Sequence, residues 1–380
     1  MSAPHDLPGI FPADMEDWLR AALDLSPGEE MSEATLAPLF ALNRAWTPRD
    51  AAGPELSPAY ADDAAVMRTY TLYYMCINMP KLWFLLARCP GLLAELASLP
   101  EPPRVVELGC GPGTFLWAWL LYMRRHQPAS LPVAGGMQGI DRAAAALAIG
   151  DRLAAGLTRW PDLASRIPTW SHRDWTASEL PDADILIAGN ALNELESIPV
   201  DRLAAWPGRA VIVIEPGTSE TFHRLLPLRD AMLAAGWTSQ FPCTGAGTCP
   251  MAADASNWCH FAVNRFMLPH VQRMSGKAGR QNPRHHFTGF VFWRGDAAPA
   301  DSWRVLSRLR KANRSGIRHL CDGSHMVEAV LNRRERSDDN RWFLDADAGD
   351  AGRLDAPTGA APLHRRKRFT SRDGFRPLDP

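Results

Sequence analysis

The stretch "RVVELGCGPGTFLWAWLLYMRRH" (residues 104–126) leaves the chain few folds to choose from. A short β-branched run ends in three alternating glycines and continues at once into an apolar segment of helical character. Val105 and Val106 favour extended backbone, and Gly109, Gly111 and Gly113 let a ligand lie against bare main chain. The following helix would offer N–H donors at the same place. Further short apolar runs follow at "GGMQGID", "DADILIAGN" and "RAVIVIEPG", separated by helix-compatible segments such as "AAAALAIGDRLAAGL" and "ETFHRLLPLRDAMLAAG". Alternating β and α units of this length predict an α/β fold with a parallel, doubly wound sheet.

The rest of the chain differs in texture. Residues 1–100 carry helical periodicities ("MEDWLRAALDL", "ATLAPLFALNRAW") broken by Pro and Gly, and predict a helical N-terminal cap. Residues 101–295 form the central α/β domain with a cysteine-rich insertion at 243–260, and 296–345 a basic, β-rich extension. In that extension "GIRHLCDGSHMVEAVL" reads as a hairpin whose Asp322-Gly323 pair suits a type I′ turn. The Ala-, Gly-, Pro-, Asp- and Arg-rich segment 346–380 reads as a flexible tail.

At 380 residues and 46% apolar the chain can fill a real core, and its net charge of −1 removes any bulk polyelectrolyte argument for nucleic acid or membrane binding. The distribution says more. Residues 1–63 carry twelve acids against three arginines, whereas 303–336 carry nine Arg or Lys against three acids, so the two ends face different partners. The N-terminus has neither a basic-then-apolar leader nor the Arg-rich, acid-poor character of a transit peptide, and no apolar run reaches eighteen residues. The expectation is a cytoplasmic, bacterial-type protein without a membrane segment, in which the seven cysteines are thiols or ligands rather than disulfides.

In "VVELGCGPGTF" the spacing E-x-G-x-G-x-G departs from the dinucleotide fingerprint. Asp141 ends the next strand, where its two oxygens could hold a ribose diol, and Asp174-Trp175 follows the third. The set resembles the class I S-adenosylmethionine-dependent methyltransferases. That resemblance implies a Rossmann-like sheet, with Glu107, Gly109, Gly111 and Gly113 near the methionine part of S-adenosyl-L-methionine. It also implies Asp141 on the ribose, Asp174 near the adenine, and Asn190 and Asn193 of "GNALNEL" on the methyl-transfer face. The competing reading is a tight structural turn with Asp141 capping a helix. No catalytic residue is legible, because methyl transfer needs mainly an aligned acceptor.

Cys243, Cys249 and Cys259 fall within seventeen residues, and Cys321 lies further on beside the hairpin turn. The spacing matches neither the paired thiols of a zinc ribbon nor the tight run of bacterial ferredoxins. Thiols clustered in a Pro/Gly/Thr loop favour ligation over packing, because a loop offers little core to fill. Taken in order, "VVELGCGPGTFLWAW", "DILIAGNALNEL", "IVIEPGT", "CTGAGTCP", "WCHF" and "LCDG" resemble the methyltransferase-like family of mitochondrial small-ribosomal-subunit assembly factors and their bacterial relatives, over roughly residues 65–335. The resemblance implies a [4Fe-4S] cluster on Cys243, Cys249, Cys259 and Cys321. The long "MAADASNW" spacer and the "SETF" after "EPGT" depart from the family pattern. His260 beside Cys259 keeps a Cys₃His zinc site as the alternative, and Cys76, Cys89 and Cys110 read as packing residues.

Arg304, Arg308, Arg310, Lys311 and Arg314 in "WRVLSRLRKANRSG" offer a basic face for RNA phosphates, and "HRRKRFTSR" an electrostatic arm; the competing reading is a solvated face. Trp293, Trp303 and Trp342 are candidate stacking residues. The function expected is an S-adenosylmethionine-binding, iron–sulfur-containing protein that contacts the small ribosomal subunit or its rRNA. The alternatives are a small-molecule or protein methyltransferase with no ribosomal role, and a binding factor without turnover. No obligate protein partner is implied.

Overall fold

The computed structural model describes residues 7–46, 60–299, 301–355, 366–370 and 374–378. Helices come first: α1 (Met15–Ala22), α2 (Glu33–Trp46), α3 (Ala64–Tyr70), α4 (Cys76–Leu86) and α5 (Pro90–Ala97), a π turn (Thr71–Met75) joining α3 to α4. The alternating part follows as β1 (Val105–Leu108), α6 (Thr114–His126), β2 (Met137–Asp141), α7 (Ala144–Ala155), β3 (Thr169–His172), β4 (Ile185–Gly189), α8 (Val200–Ala205), β5 (Ala210–Pro216) and α9 (Ser219–Ala234). Then come β6 (Thr238–Phe241), β7 (Phe261–Asn264), α10 (Pro269–Lys277) and β8 (Arg284–Trp293). The chain ends in β9 (Ser302–Val305), β10 (Arg310–Ala312), β11 (Ser315–Cys321), β12 (Met326–Asn332), α11 (Trp342–Asp345), β13 (Ala351–Asp355), β14 (Arg366–Phe369) and β15 (Gly374–Pro377). The fold is α/β with a Rossmann-like, parallel-rich sheet, as the glycine turn and the alternation predict. Among the described residues no helix is long and apolar enough to cross a membrane.

The chain divides into two compact units. The first comprises residues 1–87, 94–194 and 262–285. Its strands run in the order β3-β2-β1-β4, all parallel, with Glu107 opposite Gly139 and Ile187. Parallel strands need crossovers, and α6 and α7 supply them. The crossovers also explain why β4 reads as an unbroken apolar run and β1 as one interrupted by Glu107 alone: both are buried along their whole length. Helix α1 is amphipathic, burying Met15, Trp18, Leu19 and Ala22 on one side. A chain of indoles anchors it: Trp18 packs against Trp117 at 5.5 Å and Trp160 at 5.4 Å, and Trp117 against Trp170 at 5.9 Å. Two of these indole N–H groups find acceptors elsewhere in the unit. Trp18 donates to the Leu153 carbonyl and Trp160 to Asp14.

The second unit comprises residues 88–93, 195–261 and 286–380. Here β8 runs antiparallel to both β5 and β6, giving the order β5-β8-β6. A second sheet has the order β14-β12-β11-β9-β13-β15, with β10 on β11. Its core gathers Trp303, Val305, Leu320, Val327, Phe343, Phe369 and Phe375. This corrects the expected flexible tail: the described residues beyond 346 contribute three strands, held by Phe369 and Phe375 around Phe343 at 5.1 and 6.2 Å. Arg366–Phe369 of the expected electrostatic arm forms β14, and the arm's other residues, apart from Thr370, lie outside the described residues.

The hairpin prediction also needs amending. β11 and β12 pair as expected, with Cys321 opposite Met326, but the four residues between them do not form a type I′ turn. Asp322 Oδ1 accepts the N–H groups of Ser324 and His325, and Gly323 alone takes a positive φ of 93°. The two-residue turn with both φ values positive lies instead at Asn313 (43°) and Arg314 (65°), between β10 and β11.

Candidate functional site

The glycine loop leaves β1 and enters α6 in the first unit. Gly111 (φ 54°) is the open position: a Cβ there would meet only the Met67 Cε, 4.0 Å away. Gly113 (φ 86°) serves packing instead, since a Cβ would fall 2.5 Å from the Trp170 ring. Glu107 is 1% exposed and accepts the N–H groups of Phe115 at 3.1 Å and Leu116 at 2.9 Å. The first donors of α6 are therefore taken by this carboxyl rather than left for a ligand. Burial pushes the Glu107 carboxyl up to about 8, against the two N–H bonds that favour its ionised form.

Asp141 joins the capping and the binding readings. Its Oδ1 accepts from the Ala143 N–H at 2.8 Å, at the start of α7, and its Oδ2 from the Gly111 N–H at 2.7 Å. Each oxygen keeps a further lone pair, so a diol still has acceptors here. Burial holds this carboxyl above the usual aspartate range. Asp174 is exposed and folds back on the Thr176 N–H and hydroxyl, which hold its carboxyl low. The residue that turns inward from this strand end is Trp175, 6% exposed, with its indole nitrogen 3.8 Å from where a Gly109 Cβ would sit. Asn190, just beyond β4, adopts φ 53°, a conformation a non-glycine residue holds only where its surroundings impose it. Asn193 is half-buried nearby in the sequence. Sequence reasoning missed Tyr60 and Glu194, whose side chains meet at 2.8 Å; Glu194 lies inside the "GNALNEL" motif, and that was the available signal.

The second unit brings the four predicted thiols together. Cys243, Cys249, Cys259 and Cys321 line one small cavity, with Phe222 and Phe290 among its apolar walls. Three of them come from the loop that follows β6 and the fourth from the last residue of β11. Backbone contact seats the two parts: a Cβ on Gly245 would lie 2.6 Å from the Asp322 carbonyl, and one on Gly323 would lie 2.6 Å from the Gly245 nitrogen. Glycines are required on both sides of that approach. Among the described residues no group of three or more His, Cys, Asp or Glu side chains is placed to hold a metal ion. His260, the alternative zinc ligand, stacks on Trp258 at 4.9 Å and has its Nδ1 3.2 Å from the Trp258 carbonyl.

Two hydrogen-bond donors face sulfur in the cavity, while burial opposes thiolate there. Arg229, 1% exposed, donates from Nε to the Cys243 sulfur at 3.3 Å, and the Gly323 N–H donates to the Cys321 sulfur at 3.3 Å. Burial, then the neighbouring thiols, raises Cys259 well above the ordinary thiol range, and burial takes Cys321 to about 12. Thiols so placed are protonated at neutral pH unless a cation displaces the protons. Cys76, Cys89 and Cys110 are buried away from solvent, in keeping with packing.

The basic face is smaller than the sequence suggests. Arg304 is 3% exposed and donates to the carbonyls of Pro242, Gly349 and Gln240, each at 2.8 Å, with its guanidinium 4.9 Å from the Phe241 ring centre. It is an internal brace. Arg308, Arg310, Lys311 and Arg314 are exposed, Arg310 pairing with Glu328 at 3.2 Å. Trp293 and Trp303 are buried and Trp342 packs on Phe375 at 4.8 Å, so none of the three serves as an open stacking platform.

The profile of the family described as "Mitochondrial small ribosomal subunit Rsm22" matches residues 68–351. The chain belongs to the Rsm22 family. The Rsm22 match takes in the glycine loop, Asp141, Asp174, Asn190 and all four cavity thiols, and begins after Tyr60. No curated protein matches the chain. Among solved structures, magnesium protoporphyrin IX methyltransferase from Synechocystis PCC 6803 with bound SAH is similar at 11% identity over 69% of this chain and 95% of its own, with a TM-score of 0.34. A putative RNA methyltransferase from Pyrococcus horikoshii shares 14% identity over 56% of this chain and 84% of its own, at 0.31. A putative sarcosine dimethylglycine methyltransferase from Galdieria sulphuraria shares 12% over 68% and 98%, at 0.32.

Proposed function

We propose that this Rsm22-family chain is a methyltransferase-like protein that binds S-adenosylmethionine and a [4Fe-4S] cluster and acts on or assembles the small ribosomal subunit through its rRNA. The observation that carries the reading is the span of the family match, which contains both the glycine loop and the four thiols of the cavity. Gly111 supports the cofactor assignment because it is the open, bare-backbone position of the loop, and Asp141 beside it keeps free acceptor capacity for a ribose diol. Bound there, S-adenosylmethionine supplies an electrophilic methyl group. Asn190 at the end of β4 helps shape the methyl-transfer side, while Glu107 holds the loop to α6 and Asp174 steadies the turn beside Trp175.

Cys243, Cys249, Cys259 and Cys321 supply the four thiolates that a [4Fe-4S] cluster requires, and the cluster would tie the loop after β6 to the β11–β12 hairpin. Arg229 and the Gly323 N–H would stabilise ligand sulfur by donating to it. Arg308, Arg310, Lys311 and Arg314 would meet rRNA phosphates. The reading places the chain in a bacterial-type cytoplasm.

Co-sedimentation with small-subunit precursors tests the ribosomal part. With about four phosphate contacts, binding should weaken ~100-fold between 50 and 200 mM salt. Binding to precursor that ignores salt, or none at low salt, contradicts it. Transfer of labelled methyl into rRNA then separates a methyltransferase from a binding factor.

A further inference from the structure

Beside the glycine loop, in the first unit, aromatic and acidic side chains meet. The Tyr60 hydroxyl donates to Glu194 Oε1 at 2.8 Å. Tyr60, Tyr70 and Tyr74 all stand edge-on to Trp46, with ring centres 5.5, 6.1 and 4.7 Å away, so the rings form one braced block. Tyr70 ends α3, and Met67 of the same helix is the residue that a Gly111 Cβ would meet, 4.0 Å away. The block therefore abuts the glycine loop.

Glu194 is exposed to solvent and yet crowded enough by protein that desolvation raises its carboxyl, with the Asp141 charge adding to the rise. Arg142 acts on Glu194 as well, and it is exposed, so water screens it.

We propose that Tyr60, Tyr70 and Glu194 form a charge-reading wall, so that this site holds a cationic nucleoside such as a sulfonium in preference to the neutral thioether that methyl transfer leaves behind. The inference rests on the S-adenosylmethionine reading above and deepens it. A partly desolvated carboxylate attracts a cation more strongly than one in open water does. The hydroxyl that donates to Glu194 keeps its own lone pairs, which the bond to a carboxylate makes more negative. Tyrosine ring faces add a further preference for positive charge. Loss of the methyl group removes that charge, so the product is released and the donor reloaded.

Titration calorimetry of the full chain tests this with three probes: S-adenosylmethionine, sinefungin, which carries an amine in place of the sulfonium, and S-adenosylhomocysteine. The two cations should bind about 10-fold more tightly than the thioether, the scale of one such contact. Glu194→Gln, which keeps an acceptor for Tyr60, should erase that difference and leave S-adenosylhomocysteine within about twofold. Tyr60→Phe should narrow it part of the way, with unchanged thermal unfolding. Equal affinity for all three in the wild type, or a uniform loss in Glu194→Gln, overturns the wall. Failure of the wild type to bind any of the three overturns the cofactor reading, and the wall with it.

Discussion

Glu107 shows how one side chain links a motif to stability. Its oxygens receive the N–H groups of Phe115 and Leu116 inside a fully buried pocket, which raises its pKa from 4.5 to about 8. A group whose folded pKa exceeds its unfolded value contributes stability that is complete below about 4.5 and is lost as pH rises toward 8. Thermal unfolding of the wild type should therefore fall between pH 5 and pH 8 relative to Glu107→Gln, which has no charge to bury. Parallel curves for the two proteins would remove this role. The glycine loop was legible because strand, turn and helix signals are local, whereas the use of Glu107 was not: which N–H groups its oxygens meet depends on how α6 leaves the turn. Arg304 was misread for a related reason. A run of arginines records charge but not burial, and this one faces three backbone carbonyls under Phe241.

Elements fared according to how local their signals are. The apolar runs of β1, β2, β4 and β5 and the helices between them were readable, because their periodicity needs no knowledge of partners. The strands after residue 346 were hidden in a segment of Ala, Gly, Pro, Asp and Arg, since they pair with β12 and β9 far back in the chain. Leu354, Phe369 and Phe375 are what hint at burial there. Phe343, wholly buried between them, should be the keystone of the second sheet. Phe343→Ala should cost about 3–5 kcal/mol, read as a lower denaturation midpoint, and should open β14 and β15 to proteolysis. A loss below about 1 kcal/mol would show that the terminal strands do not depend on this core. The glycine contact between the loop after β6 and the Asp322-Gly323 turn was equally invisible in the sequence, yet it sets Cys321 beside the other thiols.

At the scale of the whole molecule, two sites sit in two units that each have their own core: a glycine loop with acidic and aromatic walls, and a four-thiol cavity flanked by a buried arginine. Membership of the Rsm22 family covers both and leaves α1, α2 and the start of α3 outside the match, although Tyr60 of that region reaches Glu194. The account stands or falls on what the thiols hold. Iron and acid-labile sulfide analysis of the full chain purified without oxygen is the most direct measurement, made beside Cys321→Ser. The account predicts a brown protein with about four irons per chain, lost or nearly lost in the variant. A colourless protein, with one zinc or with no metal at all, would contradict it.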